Sequence, residues 1–133
     1  MKSALYVGIA LLALTLPSWG CKYEDIGLGE HVNQEQSVFI GRAESASNGR
    51  SGSGQQVPAM MRVHQVIKGS MHVGELVPVY TSNSSCGLAI QKGQQWLILA
   101  SGDPMKSDQP SGSLLLQDQS TRDLVSKALG IRF

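Results

Sequence analysis

The sequence has few aromatic side chains and no excess of charge, and these two shortages exclude a nucleic-acid-binding protein. Its 133 residues include 2 Trp, 3 Tyr and 2 Phe, and 11 Lys and Arg are balanced by 10 Asp and Glu. Proteins that bind single-stranded nucleic acid need a positively charged groove and aromatic rings on which bases stack. A chain so close to neutrality also has no electrostatic attraction for acidic membrane surfaces.

The sequence also lacks the residue spacings that mark an active site or a metal site. Its three histidines, His31, His64 and His72, form neither an HxxxH nor an HxH pattern, and metal sites commonly use such spacings. None of its serines lies in the GxSxG turn of the α/β-hydrolases. We therefore expect no catalytic residues, no cofactor, no metal site of its own and no enzymatic activity.

No apolar run is long enough to span a membrane, although one lies near the start of the chain. The run over residues 4–16 has 13 residues, whereas a membrane-spanning helix needs about 20. A basic residue precedes it, a proline follows it, and Ser18 and Gly20 give the small-x-small pattern of a signal-peptidase site. We interpret residues 1–20 as a signal peptide and residues 21–133 as one secreted, extracellular or periplasmic domain. The alternative is an uncleaved membrane anchor.

Cysteine is scarce, and cleavage after Gly20 makes Cys21 the first residue of the mature chain. Its one possible intramolecular partner is Cys86. Two cysteines in an exported protein most simply form a disulfide, which here closes a loop of about 65 residues and contributes about 4 kcal/mol. The alternatives are two free thiols, or a bacterial lipoprotein with the lipid on Cys21. The lipoprotein alternative is disfavoured because Ser18 and Trp19 stand where a lipid signal prefers an aliphatic and a small residue.

The rest of the chain is rich in short β-patterned segments separated by glycine and proline turns. Alternating or continuous apolar residues predict five strands, at residues 37–45, 57–67, 75–81, 95–100 and 113–118. Residues 46–56 are rich in Gly and Ser and predict a flexible hairpin loop. Ser120 is the expected N-cap of a closing helix that Gly130 ends. This order predicts a mainly β fold, a small closed or nearly closed barrel with a C-terminal helix.

Three short motifs follow Cys21 in a characteristic order: Val38-Phe39-Ile40-Gly41-Arg42, Ile67-Lys68-Gly69 and Cys86-Gly87. This order resembles that of a known family, the netrin-like domain, and more narrowly the tissue inhibitors of metalloproteinases (TIMPs) and their small secreted bacterial relatives. The resemblance implies a five-stranded OB-like Greek-key barrel over residues 21–133. It also implies a bridge from the N-terminal cysteine to the Cys-Gly pair. A second bridge of the family is absent, because Tyr23 and Gln119 stand near its two positions.

The resemblance implies a protein-binding function. We expect a secreted or envelope-located binding module whose partner is another extracellular or envelope protein. The first alternative is a metalloprotease inhibitor in which the amine and carbonyl of Cys21 chelate the catalytic zinc of the protease. In that case Lys22 would enter the specificity pocket of the protease, where the family usually has a small or hydroxylated residue. The second alternative is a Cys21-lipidated envelope lipoprotein, and only this form would associate with a membrane.

Overall fold

A computed structural model of the chain describes residues 21–47 and 56–133. The predicted signal peptide, residues 1–20, and most of the predicted 46–56 loop lie outside the described residues. Among the residues described, no helix is both long enough and apolar enough to cross a membrane.

The fold is mainly β, as the sequence predicts, with one antiparallel sheet and two helices. In chain order the elements are α1 (Leu28–Gln34), β1 (Ser37–Ala43), β2 (Ala59–Lys68), β3 (Leu76–Val79), β4 (Gln95–Ala100), β5 (Leu114–Leu115) and α2 (Gln119–Leu129), with a 3₁₀ turn at Gln109–Ser111 before β5. The strand order in the sheet is β3-β2-β1-β4-β5. The central strand is therefore β1, with β2 on one side and β4 on the other.

Both faces of β1 are buried, because each face of the sheet carries its own apolar layer. Phe39 and Ala43 point into one layer, which contains apolar side chains of β2, β3 and β4. Val38 and Ile40 point into the other layer, where they meet the two helices. A strand buried on both faces needs a nearly continuous apolar run rather than strict alternation. The same reason accounts for the Gln95–Ala100 run of β4, whose Trp96 is part of the core.

The predicted strands are confirmed in position, but only β4 has its expected length. β1 and β2 are one or two residues shorter than expected, and β3 and β5 are much shorter. β3 ends at Val79, and its Pro78 faces Met60 of β2 at the edge of the sheet, where a residue without an N–H is tolerated. β5 is limited to Leu114–Leu115. The apolar alternation continues one residue further, since Leu114 and Leu116 lie in one layer and Leu115 in the other, and the Leu116 N–H donates to the Gln95 carbonyl at 2.9 Å.

The five strands do not close into a barrel over the residues described, yet the two halves of the sheet are connected at one residue. Lys106 forms a parallel bridge to Tyr80, just after β3, and an antiparallel bridge to Ser101, just after β4. Tyr80 N–H donates to the Met105 carbonyl at 2.9 Å, and Ser107 N–H donates to the Tyr80 carbonyl at 2.9 Å. The segment after β4 therefore reaches the far edge of the sheet.

The closing helix forms as predicted, with its start two residues earlier. Its N-cap is Asp118 rather than Ser120, and Gly130 ends it in the left-handed conformation with a φ of 65°. Val125 is fully buried in the layer that contains Val38 and Ile40. Leu124, one residue earlier on the helix, is 54% exposed.

Candidate functional site: the ridge around Cys21 and Cys86

The predicted disulfide between Cys21 and Cys86 is present and joins the start of the described chain to a loop between β3 and β4. The two Cα atoms are 4.6 Å apart, across a sequence separation of 65 residues. Both cysteines are half-buried, and Lys22 and Tyr23 beside Cys21 are exposed. We call residues 21–23 and 82–87 together the ridge. The structure thus brings the two predicted site positions, Cys21 with Lys22 and Cys86, into one place.

The loop half of the ridge is folded by its own serines. Ser82 Oγ accepts a hydrogen bond from the Ser84 N–H at 3.1 Å, and Ser84 Oγ accepts one from the Cys86 N–H at 3.2 Å. The Gly87 N–H then donates to the Ser84 carbonyl at 3.0 Å. Such serine side chains imitate backbone turns and fix short loops. The Ser-rich sequence before Cys86 therefore produces a defined conformation.

Gly87 is required by the tightness of this loop. A Cβ at position 87 would lie 1.9 Å from the carbonyl oxygen of Ser82. No backbone atom can approach a side chain so closely, so any larger residue would force the loop to move. The presence of glycine directly after Cys86 is thus explained by steric packing, independently of any family resemblance.

Asp108 and Gln109 hold the loop against the rest of the fold. The Asp108 carboxylate accepts from the Ser82 N–H at 2.6 Å and from the Thr81 hydroxyl at 3.2 Å. The Gln109 N–H donates to the Cys86 carbonyl at 2.7 Å, and the Gln109 side-chain amide donates to carbonyls on both sides of Cys86. Sequence reasoning did not identify either residue. Both lie in a segment where the only signals were the turn residues Pro104 and Pro110.

The three histidines lie in different environments and do not form a common site. His31 is buried on α1, with its Nε2 3.9 Å from the exposed carboxylate of Asp25. His64 is exposed on β2, and His72 is exposed in the turn before β3. Within residues 21–47 and 56–133, no group of three or more His, Cys, Asp or Glu side chains is arranged to hold a metal ion.

A scan of the chain against models of protein families finds no match, and a search of curated proteins finds none either. The resemblance to the netrin-like domain therefore rests on the short motifs and their order in the sequence.

Proposed function

We propose that this chain is an exported netrin-like module that binds another protein through the ridge. The observation that carries the proposal is the Cys21–Cys86 disulfide, with its Cα–Cα distance of 4.6 Å. It fixes the exposed Lys22 and the exposed residues 83–85 on one surface. A binding surface that is rigid before contact loses little conformational entropy on association, which favours affinity.

The sheet topology is compatible with the OB-like Greek-key barrel that the resemblance implies. β3 and β4 are separated by β2 and β1 in the sheet, but Lys106 bridges the ends of both strands. We propose that this bridge is the closing seam of a small, incompletely closed barrel. The ridge would then lie on loops at one rim of a rigid scaffold, where binding residues commonly occur.

The disulfide also disfavours a lipoprotein that is anchored through Cys21. Acylation of an N-terminal cysteine uses its sulfur atom, and in the structure that sulfur is bonded to Cys86. A disulfide persists in oxidising compartments such as the periplasm or the extracellular space. The bridged form thus supports an exported protein that is not anchored through Cys21.

A pull-down with the exported protein tests the binding proposal. The bait is compared with a ridge variant, Lys22→Glu combined with Ser85→Arg, and with a control variant, Lys92→Glu, which changes an exposed charge in the turn before β4. We expect a partner from an envelope or extracellular extract that the wild type and the control retain and the ridge variant loses. A partner set that is identical for all three baits would contradict binding through the ridge.

The second candidate function is inhibition of a zinc metalloprotease, and the same disulfide favours it. If residues 1–20 are removed, the free amine and the carbonyl of Cys21 lie at the ridge, beside the exposed Lys22. A catalytic zinc keeps one coordination position open for water or substrate. An α-amine has a pKa of about 8, so it loses its proton to bind zinc at a modest energetic cost.

Two measurements separate this candidate from general protein binding. Intact mass and N-terminal sequencing of the exported protein establish whether Cys21 is the first residue. The protein is then titrated against a panel of zinc endopeptidases beside a version that carries one additional Ala before Cys21. Chelation predicts inhibition by the first and little by the second, and equal inhibition by both would refute the chelation mechanism.

A further inference from the structure

A second surface feature, separate from the ridge, is a basic cleft of about 350 Å³ between the sheet and the start of α2. Its polar lining residues are Arg42 on β1, His64 on β2, Arg122 on α2, and Gln94, Gln95 and Gln117. These residues come from four elements and their connections. None of them belongs to the ridge, so the cleft and the ridge are independent sites.

The cleft has positive charge without a matching carboxylate. No Asp or Glu is among its lining residues. Within the described chain, the guanidinium of Arg42 has no hydrogen bond or ion pair. The carboxylate two residues further along the chain, that of Glu44, accepts hydrogen bonds of 2.9 and 3.1 Å from Arg62. Its charge is therefore already paired, and the charge of Arg42 is not.

Arg122 is held in place by the protein backbone. Its Nε donates to the Leu116 carbonyl at 3.0 Å, a bond that fixes the plane of the guanidinium and leaves both terminal nitrogens as donors. An arginine fixed in this way presents its terminal N–H groups to a ligand in a set geometry, which suits an oxyanion.

The amide of Gln94 is oriented as a donor as well. Its Oε1 accepts from the Gln91 N–H at 2.8 Å and from the Trp96 indole at 3.2 Å. With both acceptor positions of the oxygen used, the amide nitrogen remains for another partner. Arg122 and Gln94, the lining residues whose side chains form described hydrogen bonds, thus both retain N–H donors, which an anion site requires.

We propose that the basic cleft binds the phosphate group of a phosphomonoester. Two arginines without carboxylate partners match the two negative charges that such a group carries near neutral pH. The cleft volume of about 350 Å³ lies within the range of small-molecule sites and leaves room for more of the ligand than its phosphate. The balanced charge of the chain, 11 basic and 10 acidic residues, favours one anionic group over a long polyanion.

An NMR titration of the exported protein tests the proposal, with inorganic phosphate, glycerol 3-phosphate and acetate as probes. We expect saturable shifts at His64 and Arg122, with glycerol 3-phosphate binding more tightly than inorganic phosphate and acetate binding most weakly. Arg42→Gln and Arg122→Gln should each weaken the binding about tenfold or more, because each removes hydrogen bonds to a charged group. Lys127→Gln, the same change of charge elsewhere on α2, should leave the affinity within about twofold, since Lys127 is exposed and does not line the cleft, and exposed charges are screened by salt.

Vesicles distinguish a soluble phosphomonoester from a lipid headgroup. The phosphate would be assigned to a lipid if the protein sediments with vesicles of phosphatidic acid in phosphatidylcholine. That sedimentation should be lost in Arg42→Gln and absent with vesicles of phosphatidylcholine alone. Tight glycerol 3-phosphate binding without sedimentation would assign it to a soluble compound. The proposal is overturned if acetate binds as tightly as the phosphates, if no probe saturates, or if Arg42→Gln and Lys127→Gln bind equally well. Circular dichroism of each variant verifies that it is folded.

Discussion

Replacement of Gly87 by Ala is the sharpest test of how the ridge is built. The added Cβ would lie 1.9 Å from the Ser82 carbonyl oxygen and 3.0 Å from its carbon. These are backbone atoms, so they cannot rotate away as the end of a long side chain would. The loop must open, and the hydrogen bond of 2.6 Å from the Ser82 N–H to Asp108 is the first that such a movement would break.

The size of the effect follows from these two contributions. Excess volume in a well-packed site costs about 1–3 kcal/mol, and loss of a hydrogen bond to a carboxylate costs about 1.5–3 kcal/mol. The loop can relieve the steric clash only by moving, and that movement breaks the hydrogen bond to Asp108. We therefore expect Gly87→Ala to lower the free energy of unfolding by about 2–4 kcal/mol. The opposite sign is expected for Gly29→Ala in α1, where a Cβ meets nothing within 4 Å. That change should stabilise the protein by about 0.5–1 kcal/mol.

Urea denaturation of both variants beside the wild type, at neutral pH and with the disulfide intact, measures the two effects. The midpoint should fall for Gly87→Ala and rise for Gly29→Ala, with similar slopes in all three proteins. A Gly87→Ala protein within about 0.5 kcal/mol of the wild type, a difference typical of neutral surface substitutions, would refute the tight loop. The partner recovered in the pull-down gives a second measurement, since its binding should weaken in Gly87→Ala and persist in Gly29→Ala.

Three further predictions concern the supports of the ridge and the outer face of the sheet. Joint replacement of Cys21 and Cys86 by Ala should cost about 4 kcal/mol of unfolding free energy, since the bridge spans 65 residues; a loss below about 1 kcal/mol in urea denaturation would contradict this. Asp108→Ala should cost about 2 kcal/mol by the same assay and expose the 82–87 loop amides to hydrogen exchange, because two donors lose their acceptor. The hydrogen bond from Arg62 lowers the pKa of Glu44 from its ordinary 4.5, so its stabilising effect is complete above about pH 4.5 and is lost as the pH falls through the lowered pKa. The stability difference between the wild type and Glu44→Gln should therefore shrink in acid, and a difference that is constant from pH 7 to about pH 3 would contradict the ion pair.

Apolar patterning predicted the parts of the fold that are determined locally. The Gln95–Ala100 run is continuous because β4 is buried on both faces, and Trp96 belongs to the core. β5 was predicted too long for a physical reason. The alternation of Leu114, Leu115 and Leu116 between the two apolar layers extends beyond the paired residues, and apolar alternation indicates burial without showing where strand pairing ends.

The candidate sites were predictable only where few combinations exist. Two cysteines allow one intramolecular pair, so the Cys21–Cys86 bridge was the simplest of the alternatives in the sequence, and the structure contains it. The basic cleft did not, because Arg42 and Arg122 lie on elements that only the tertiary fold brings together. The burial of His31 was also missed. Its ring packs against Gly112, where a Cβ would come within 2.6 Å of the imidazole, and nothing near His31 in the sequence indicates that contact.

The segment around residues 105–109 connects the scaffold and the ridge. Lys106 bridges the ends of β3 and β4, and the fully buried Ser107 donates its hydroxyl to the Leu99 carbonyl. The next two residues, Asp108 and Gln109, hold the loop that contains Cys86. The ridge is therefore attached through this segment, and through Lys106, to both halves of the sheet. Hydrogen bonds and the disulfide thus restrain the ridge before any partner binds, and such restraint lowers the entropy cost of association.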